Sequence, residues 1–245
     1  MTAPSPLDSP VVFHLGPVLV TQQVVTSWAL VAMLGFAAFL STRGLDSRHV
    51  EPAKPPASGP PTRRKVGRVQ AAVEAFYVML ENQIRGVVPG DPAPLVPFVG
   101  TLFLFLAFAN LCSLIPGVKA PTATLETPGA LAIVVFFTVH VFGIRKKGLW
   151  KYLKAFAQPS VLMLPLNVLS EITRTFSMMI RLFGNMMSHE FILGIVVTLV
   201  GLFVPIPFMA LGILIGLIQA YIFAILATVF IGAAIEPTEK AVEKT

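Results

Sequence analysis

PLNVLSEITRTFSMMIRLFGNMMSHEF, residues 165–191, is the stretch whose reading decides the fold. It is apolar enough to lie in a bilayer, yet it carries Glu171, Arg174, Arg181, Asn185, His189 and Glu190. A charge at the centre of a membrane costs about 2.5–3.5 kcal/mol on insertion scales. The middle of a long apolar segment offers no short route to the interface, so these groups should face protein or water. On a helix of 3.6 residues per turn, Arg174, Ser177, Arg181, Asn185 and Ser188 fall along one face, with His189 near the same stripe. Glu190 lies nine residues past Arg181 and points to nearly the opposite side. A lone Arg between two polar faces suits a charge approached from both. The plainer alternative is an Arg paired with Glu171 or Glu190 to lock two helices together, but no countercharge on another apolar segment demands it.

Outward from this stretch the whole chain is apolar. Of 245 residues, 55% are hydrophobic and 12% charged, with a mean hydropathy of +0.80. No soluble domain of this size needs so much apolar surface, so the chain reads as an all-α polytopic membrane protein. The formal charge of +6 sits in short runs between apolar segments, not in a patch suited to nucleic acid. The single Cys112 cannot form an internal disulfide, and no zinc-type Cys/His spacing occurs. Neither a metal nor a cofactor is expected.

About five membrane-crossing helices and one surface helix follow from the chain taken in order. Residues 1–17 are Pro-rich, lack a basic start and do not read as a cleaved signal, giving an external N-terminal segment. Residues 18–41 form the first membrane helix. Residues 42–65 are a Pro-rich basic linker that cannot pack a core. Seven Lys/Arg between Arg43 and Arg68 assign it to the cytoplasmic side, with the N-terminus outside. Residues 66–85 repeat Val69, Val73, Phe76, Tyr77 and Leu80 at helical spacing, with Glu74, Glu81 and Arg85 between, as in a helix lying on the membrane surface. Spans are expected at 98–115 and 129–144, with a nearly uncharged outer loop between them. Arg145, Lys146, Lys147, Lys151 and Lys154 mark the cytoplasmic side again. From 160 to 204 no strong breaker follows Pro165, and the segment is about twice the hydrocarbon thickness, so it must tilt or bend. The last helix, 208–234, carries Gly212, Gly216 and Gln219 on one face, a strip that permits close helix approach. A lone carboxamide there wants a partner, and Arg181 or Asn185 could supply it. The tail, 236–245, is charged and cytoplasmic.

IRLFGNMM (180–187), SEITRTFS (170–177) and LIQAYIFAILATVFI (217–231), with weaker support from ENQI (81–84) and SLIPG (113–117), resemble subunit a of the membrane (Fo) sector of F-type ATP synthases. The resemblance covers about 66–235. It implies a non-catalytic stator beside a rotating c-subunit ring, held by the b subunits of the peripheral stalk, in a bacterial inner membrane. The last two helices would form a long, tilted hairpin against the ring, with Gly184, Gly212 and Gly216 allowing close packing. Arg181 matches the family's essential arginine facing the ring carboxylates, Gln219 the glutamine beside it, and Asn185 the asparagine one turn on. Glu190 matches the acidic group of the outer half-channel, with His189 beside it; Ser177 and Arg174 match polar positions on the cytoplasmic side. Two departures stand out. Asn167 occupies a position where many members have Glu, so Glu171 is expected to supply that carboxylate. Gly212 leaves empty a position where some members carry His or Glu. SEITRTFS and GNMMSHEF also resemble the N-type ATPase branch, some of whose members are thought to carry Na⁺ instead of H⁺.

Two other function classes compete. A self-contained channel or secondary transporter often shows internal repeats with broken helices at matching positions, and no duplication is visible. An intramembrane zinc protease would need HExxH, but Leu193 stands where the second His belongs.

Overall fold

The computed structural model describes residues 11–15, 18–42, 68–88, 91–112, 120–156, 160–201 and 205–235. The basic linker beyond Thr42, the SLIPG motif, the tail 236–245 and residues 1–10 of the external segment lie outside the described residues. The architecture is helical, as expected. Seven helices are present among the described residues: α1 Gln22–Thr42, α2 Arg68–Arg85, α3 Val96–Leu111, α4 Glu126–Lys147, α5 Leu149–Phe156, α6 Leu164–Val200 and α7 Pro205–Ile235. Of these, α4, α6 and α7 are long and apolar enough to cross a membrane, and Val24–Phe39 of α1 and all of α3 are shorter apolar helices.

Several boundaries differ from the sequence expectation. The first membrane helix does not begin at residue 18. Val18–Thr21 (β2) instead pairs antiparallel with Val11–Leu15 (β1) in a hairpin, and α1 starts at Gln22. A run of β-branched residues interrupted by Gly16 and Pro17 carries both strand and helix signals. The hairpin's last residue is tied down: Thr21 Oγ1 donates to Glu126 Oε2 at the start of α4 (3.2 Å). Pro205 opens α7 instead of only closing the helix before it, in keeping with the tolerance for Pro in a first turn.

α5 was not expected as a separate element. Gly148, at φ +81°, ends α4 while its N–H reaches Ile144 O (2.7 Å). Only a glycine takes that backbone readily. The chain then turns back, and Tyr152 packs into the notch left by Gly143 on α4. Among the described residues the other glycine with positive φ, Gly201, ends α6.

The core lies where α3, α4, α6 and α7 converge. Val96, Val99, Leu102 and Leu106 of α3 meet Val135 and Val139 of α4, Met178 and Leu182 of α6, and Phe223 and Ile231 of α7. α7 contributes a ridge of small residues at every fourth position: Gly212, Gly216, Ala220, Ala224, Thr228 and Gly232, all buried. Such a ridge lets backbones approach and replaces a hydrophobic driving force that lipid does not supply. α2 packs Leu80 and Ile84 against α3, where Gly100 leaves room for Leu80. Its inner face is thus buried by protein, while Val73, Tyr77 and Val78 remain exposed.

α6 is one unbroken helix of 37 residues, about 55 Å long. It buries only Met178, Leu182 and Met186, a stripe one residue wide at four-residue spacing. Residues flanking that stripe are partly covered, and the remaining side is open, with Leu169, Ile172, Phe176 and Ile180 among its exposed apolar side chains.

Candidate functional site

The open face of α6 carries the sequence's central arginine. Arg181 is exposed and makes no hydrogen bond or ion pair with any described residue. The locking pairs considered from the sequence do not form. Glu171 lies 3.5 Å from Arg174 Nη1, and Glu190 Oε1 accepts the Ala120 N–H at 2.8 Å. Ser177, Asn185 and Ser188 share Arg181's exposure. Arg174 and His189, assigned to the same stripe, turn partly inward instead.

Gln219 finds the partner its setting demands. It is 3% exposed, and its Oε1 accepts a hydrogen bond from Asn185 Nδ2 at 2.6 Å. The carboxamides of α6 and α7 therefore hold one another; neither holds Arg181. Gln219 Nε2 has no partner among the described residues, a buried donor of the kind that costs about 1–3 kcal/mol when unmet.

Polar groups gather at each end of α6. At the end near α5, Asn167, Glu171 and Arg174 line a cavity of about 270 Å³ together with Lys147, Tyr152 and Phe230. The Arg174 guanidinium sits 4.5 Å from the Phe230 ring centroid, a cation–π contact that turns it away from the Arg181 face. Burial, and then the Glu171 charge, pushes the Tyr152 phenol up to about 12, so the wall of this cavity stays neutral there. Asn167 fastens the last turn of α5 to α6, its Nδ2 donating to Phe156 O (2.8 Å).

Toward the other end, Glu190 faces the 3-10 turn Pro121–Ala123. Beneath it Thr122 Oγ1 donates to Asn110 Oδ1 (2.8 Å), and Asn110 Nδ2 donates to Gly216 O (2.8 Å). Both side chains are buried. The place at Gly212 is not empty, because the His189 imidazole of α6 occupies it; a Cβ on Gly212 would overlap the ring. A Cβ on Gly216 would lie 2.8 Å from Asn110 Cβ. The close packing these two glycines permit is therefore with their own chain. Gly184 differs: a Cβ there would meet nothing within 4 Å.

Along the helix axis, Arg181 is ten residues from Glu171 and nine from Glu190, about 15 Å and 14 Å. A lone outward cation thus sits midway between two polar regions. The sequence profile of the family described as ATP synthase A chain matches residues 24–232. The chain belongs to the ATP synthase subunit a family. A Bradyrhizobium sp. protein named ATP synthase subunit a 2 is 52% identical over 96% of this chain and 98% of its own length. ATP synthase subunit a of Albidiferax ferrireducens is 44% identical over 86% of this chain and 85% of its own. ATP synthase subunit a 1 of Chlorobaculum parvum is 42% identical over 96% and 97%. As a member of this family the chain is a membrane component of the ATP synthase, in keeping with its apolar helices.

Within the subunit a fold, sequence reasoning missed Asn110 and Thr122. The context FANLC reads as ordinary span packing, and only the cost of an unpaired carboxamide in hydrocarbon signals otherwise. Thr122 has a still weaker signal, because Thr is common in loops and only the fold buries it.

Proposed function

We propose that the chain is the stator of the Fo sector, presenting Arg181 to the c-subunit ring between two ion half-channels. One observation carries this reading: a guanidinium midway along an apolar helix, exposed and without a partner among the described residues. Left to lipid it would cost about 2.5–3.5 kcal/mol or more. An acidic group on another subunit removes that penalty, and the ring carboxylates are such groups. A guanidinium keeps its proton in a low dielectric, where an ammonium can lose it. It attracts each deprotonated carboxylate and repels an arriving cation, so H⁺ or Na⁺ must ride around the ring. Each unit charge crossing delivers about 2.3 kcal/mol per 100 mV.

The two polar regions supply the half-channels. Glu190 and His189 belong to the outer one, backed by the buried Asn110–Thr122 pair, and the cavity around Glu171 and Arg174 belongs to the cytoplasmic one. Ser177, on the Arg181 face, serves the cytoplasmic approach. The basic run Arg145–Lys154 orients the α5 end inward by the positive-inside rule; five membrane crossings then leave the N-terminus outside and the C-terminus cytoplasmic. Gly184 gives the ring room beside Arg181. The Asn185–Gln219 pair supports the hairpin of α6 and α7 behind it, while the chain itself performs no nucleotide chemistry and the b subunits hold it still.

In energised membrane vesicles, Arg181→Ala is expected to abolish coupled ATP synthesis and ATP-driven pumping while permitting passive ion leak, and Arg181→Lys also fails to couple. Near-normal ATP synthesis by Arg181→Ala vesicles overturns the reading. Ion flux by the chain alone, without the ring, would instead favour the self-contained channel.

A further inference from the structure

We infer that α5 is a lipid-recognition helix that lies in the membrane interface and binds anionic phospholipid headgroups. At about 100° per residue, all of its eight residues but Ala155 divide into three arcs. Tyr152 and Phe156 point inward, the first into the Gly143 notch and both against the His140 ring of α4. Leu149, Leu153 and Trp150 form a second, exposed arc; Trp150 is 87% exposed, the largest value among the exposed apolar side chains. Lys154 and Lys151 form the third arc, also exposed and directly beside the apolar one.

An apolar stripe next to a basic stripe, with Trp at the boundary, is the pattern of a helix lying in an interface. Its place in the fold agrees, because only Gly148 separates α5 from the end of α4, where a candidate span leaves the hydrocarbon. Arg145 and Lys146 add exposed positive charge at the same level, and no acidic residue occurs between 145 and 156. This charge is complementary to lipids whose headgroups carry a net negative charge and gains little from zwitterionic ones. α5 is also held rigidly, by Tyr152 on α4 and by the Asn167–Phe156 hydrogen bond to α6. Lipid bound to it is therefore mechanically connected to the wall of the Glu171–Arg174 cavity.

Tryptophan quenching by brominated lipids tests this. The chain has two tryptophans, so Trp28→Phe leaves Trp150 as its only one. The full chain is placed in nanodiscs of phosphatidylcholine containing a small share of brominated phosphatidylglycerol or the same share of brominated phosphatidylcholine. The anionic lipid is expected to be enriched at Trp150 on the order of fivefold, the factor for one lysine near an anionic surface. Lys151→Gln/Lys154→Gln should sharply reduce the anionic excess, leaving what Arg145 and Lys146 supply, while retaining quenching by phosphatidylcholine, which shows that α5 is still seated. Raising salt to about 1 M should erode the excess in the same way, since the Debye length falls to roughly 3 Å. Equal quenching by both lipids in the Trp28→Phe chain overturns anionic recognition. Absence of quenching by either shows α5 away from lipid and overturns the whole inference. In the assembled complex, loss of the quenching that Trp150→Phe removes identifies the apolar arc as a protein contact, which also overturns it.

Discussion

α6 and α7 are the two longest helices, both apolar, and they use their surfaces in opposite ways. α7 turns a ridge of small residues inward, from Gly212 to Gly232, and α3 and α4 close onto it. α6 buries only Met178, Leu182 and Met186 and leaves Arg181 outward on an otherwise open helix. The same covalent material thus makes a scaffold in one case and an interface in the other. Hydropathy marks both as candidate spans, α7 the more apolar, but does not say which surface packs inward. Residue size does: small residues at every fourth position bring backbones together, whereas large ones on every face require a partner the chain does not supply.

Substitutions should break this contrast to different degrees. The largest effect is expected at Gly216, where any side chain meets Asn110; Gly216→Leu should prevent accumulation of the folded subunit in membranes, read by immunoblot of the assembled complex. Overpacking of this kind usually costs about 1–3 kcal/mol and more where backbone is pressed. Next comes Asn110→Leu, which strips Thr122 and the Gly216 carbonyl of their buried partner. A loss of about 1–3 kcal/mol in detergent unfolding is expected, and Thr122→Val added to it should cost little more, because the two share one network. Asn185→Ala should cost less, toward the lower end of about 1–3 kcal/mol, because it leaves only the buried Gln219 Oε1 unmet. The smallest effect on the subunit itself is expected on the open face around Arg181: Leu166→Ala or Ile195→Ala, both exposed there, should change its own stability by no more than about 0.5 kcal/mol. The same changes should weaken co-purification of the ring, if that face is where the ring rests.

Much of this was legible in the sequence, for physical reasons that also explain the omissions. Arg181, Gln219 and Asn185 stand out because a polar group in an apolar run must be answered by another, and helical phase showed which could meet. Phase alone could not choose between Arg181 and Asn185 as the partner of Gln219, since both lie within reach of a carboxamide on the next helix. The structure selects Asn185. Arg174 left its expected face because a long side chain can fold over Phe230, a contact separated by more than fifty residues in the chain. Gly212 read as a vacancy because a glycine reports only what it lacks, and the occupant, His189, belongs to another helix. α5 stayed hidden in a run of lysines, because its amphipathic pattern is only eight residues long. Val18–Thr21 reads from sequence as the start of the first membrane helix for a similar reason: short apolar runs carry no decisive period.

The measurement that bears most directly on the contrast is disulfide trapping against a ring carrying one engineered cysteine beside its membrane carboxylate. In a Cys112→Ala background, Ser177→Cys and Ser188→Cys on the Arg181 face of α6 are expected to form a cross-link to the ring, and Ala224→Cys on the buried ridge of α7 is not. Cross-linking from Ala224→Cys with none from either α6 position would show that the ring meets the other helix face, and would contradict the assignment of Arg181 to that interface.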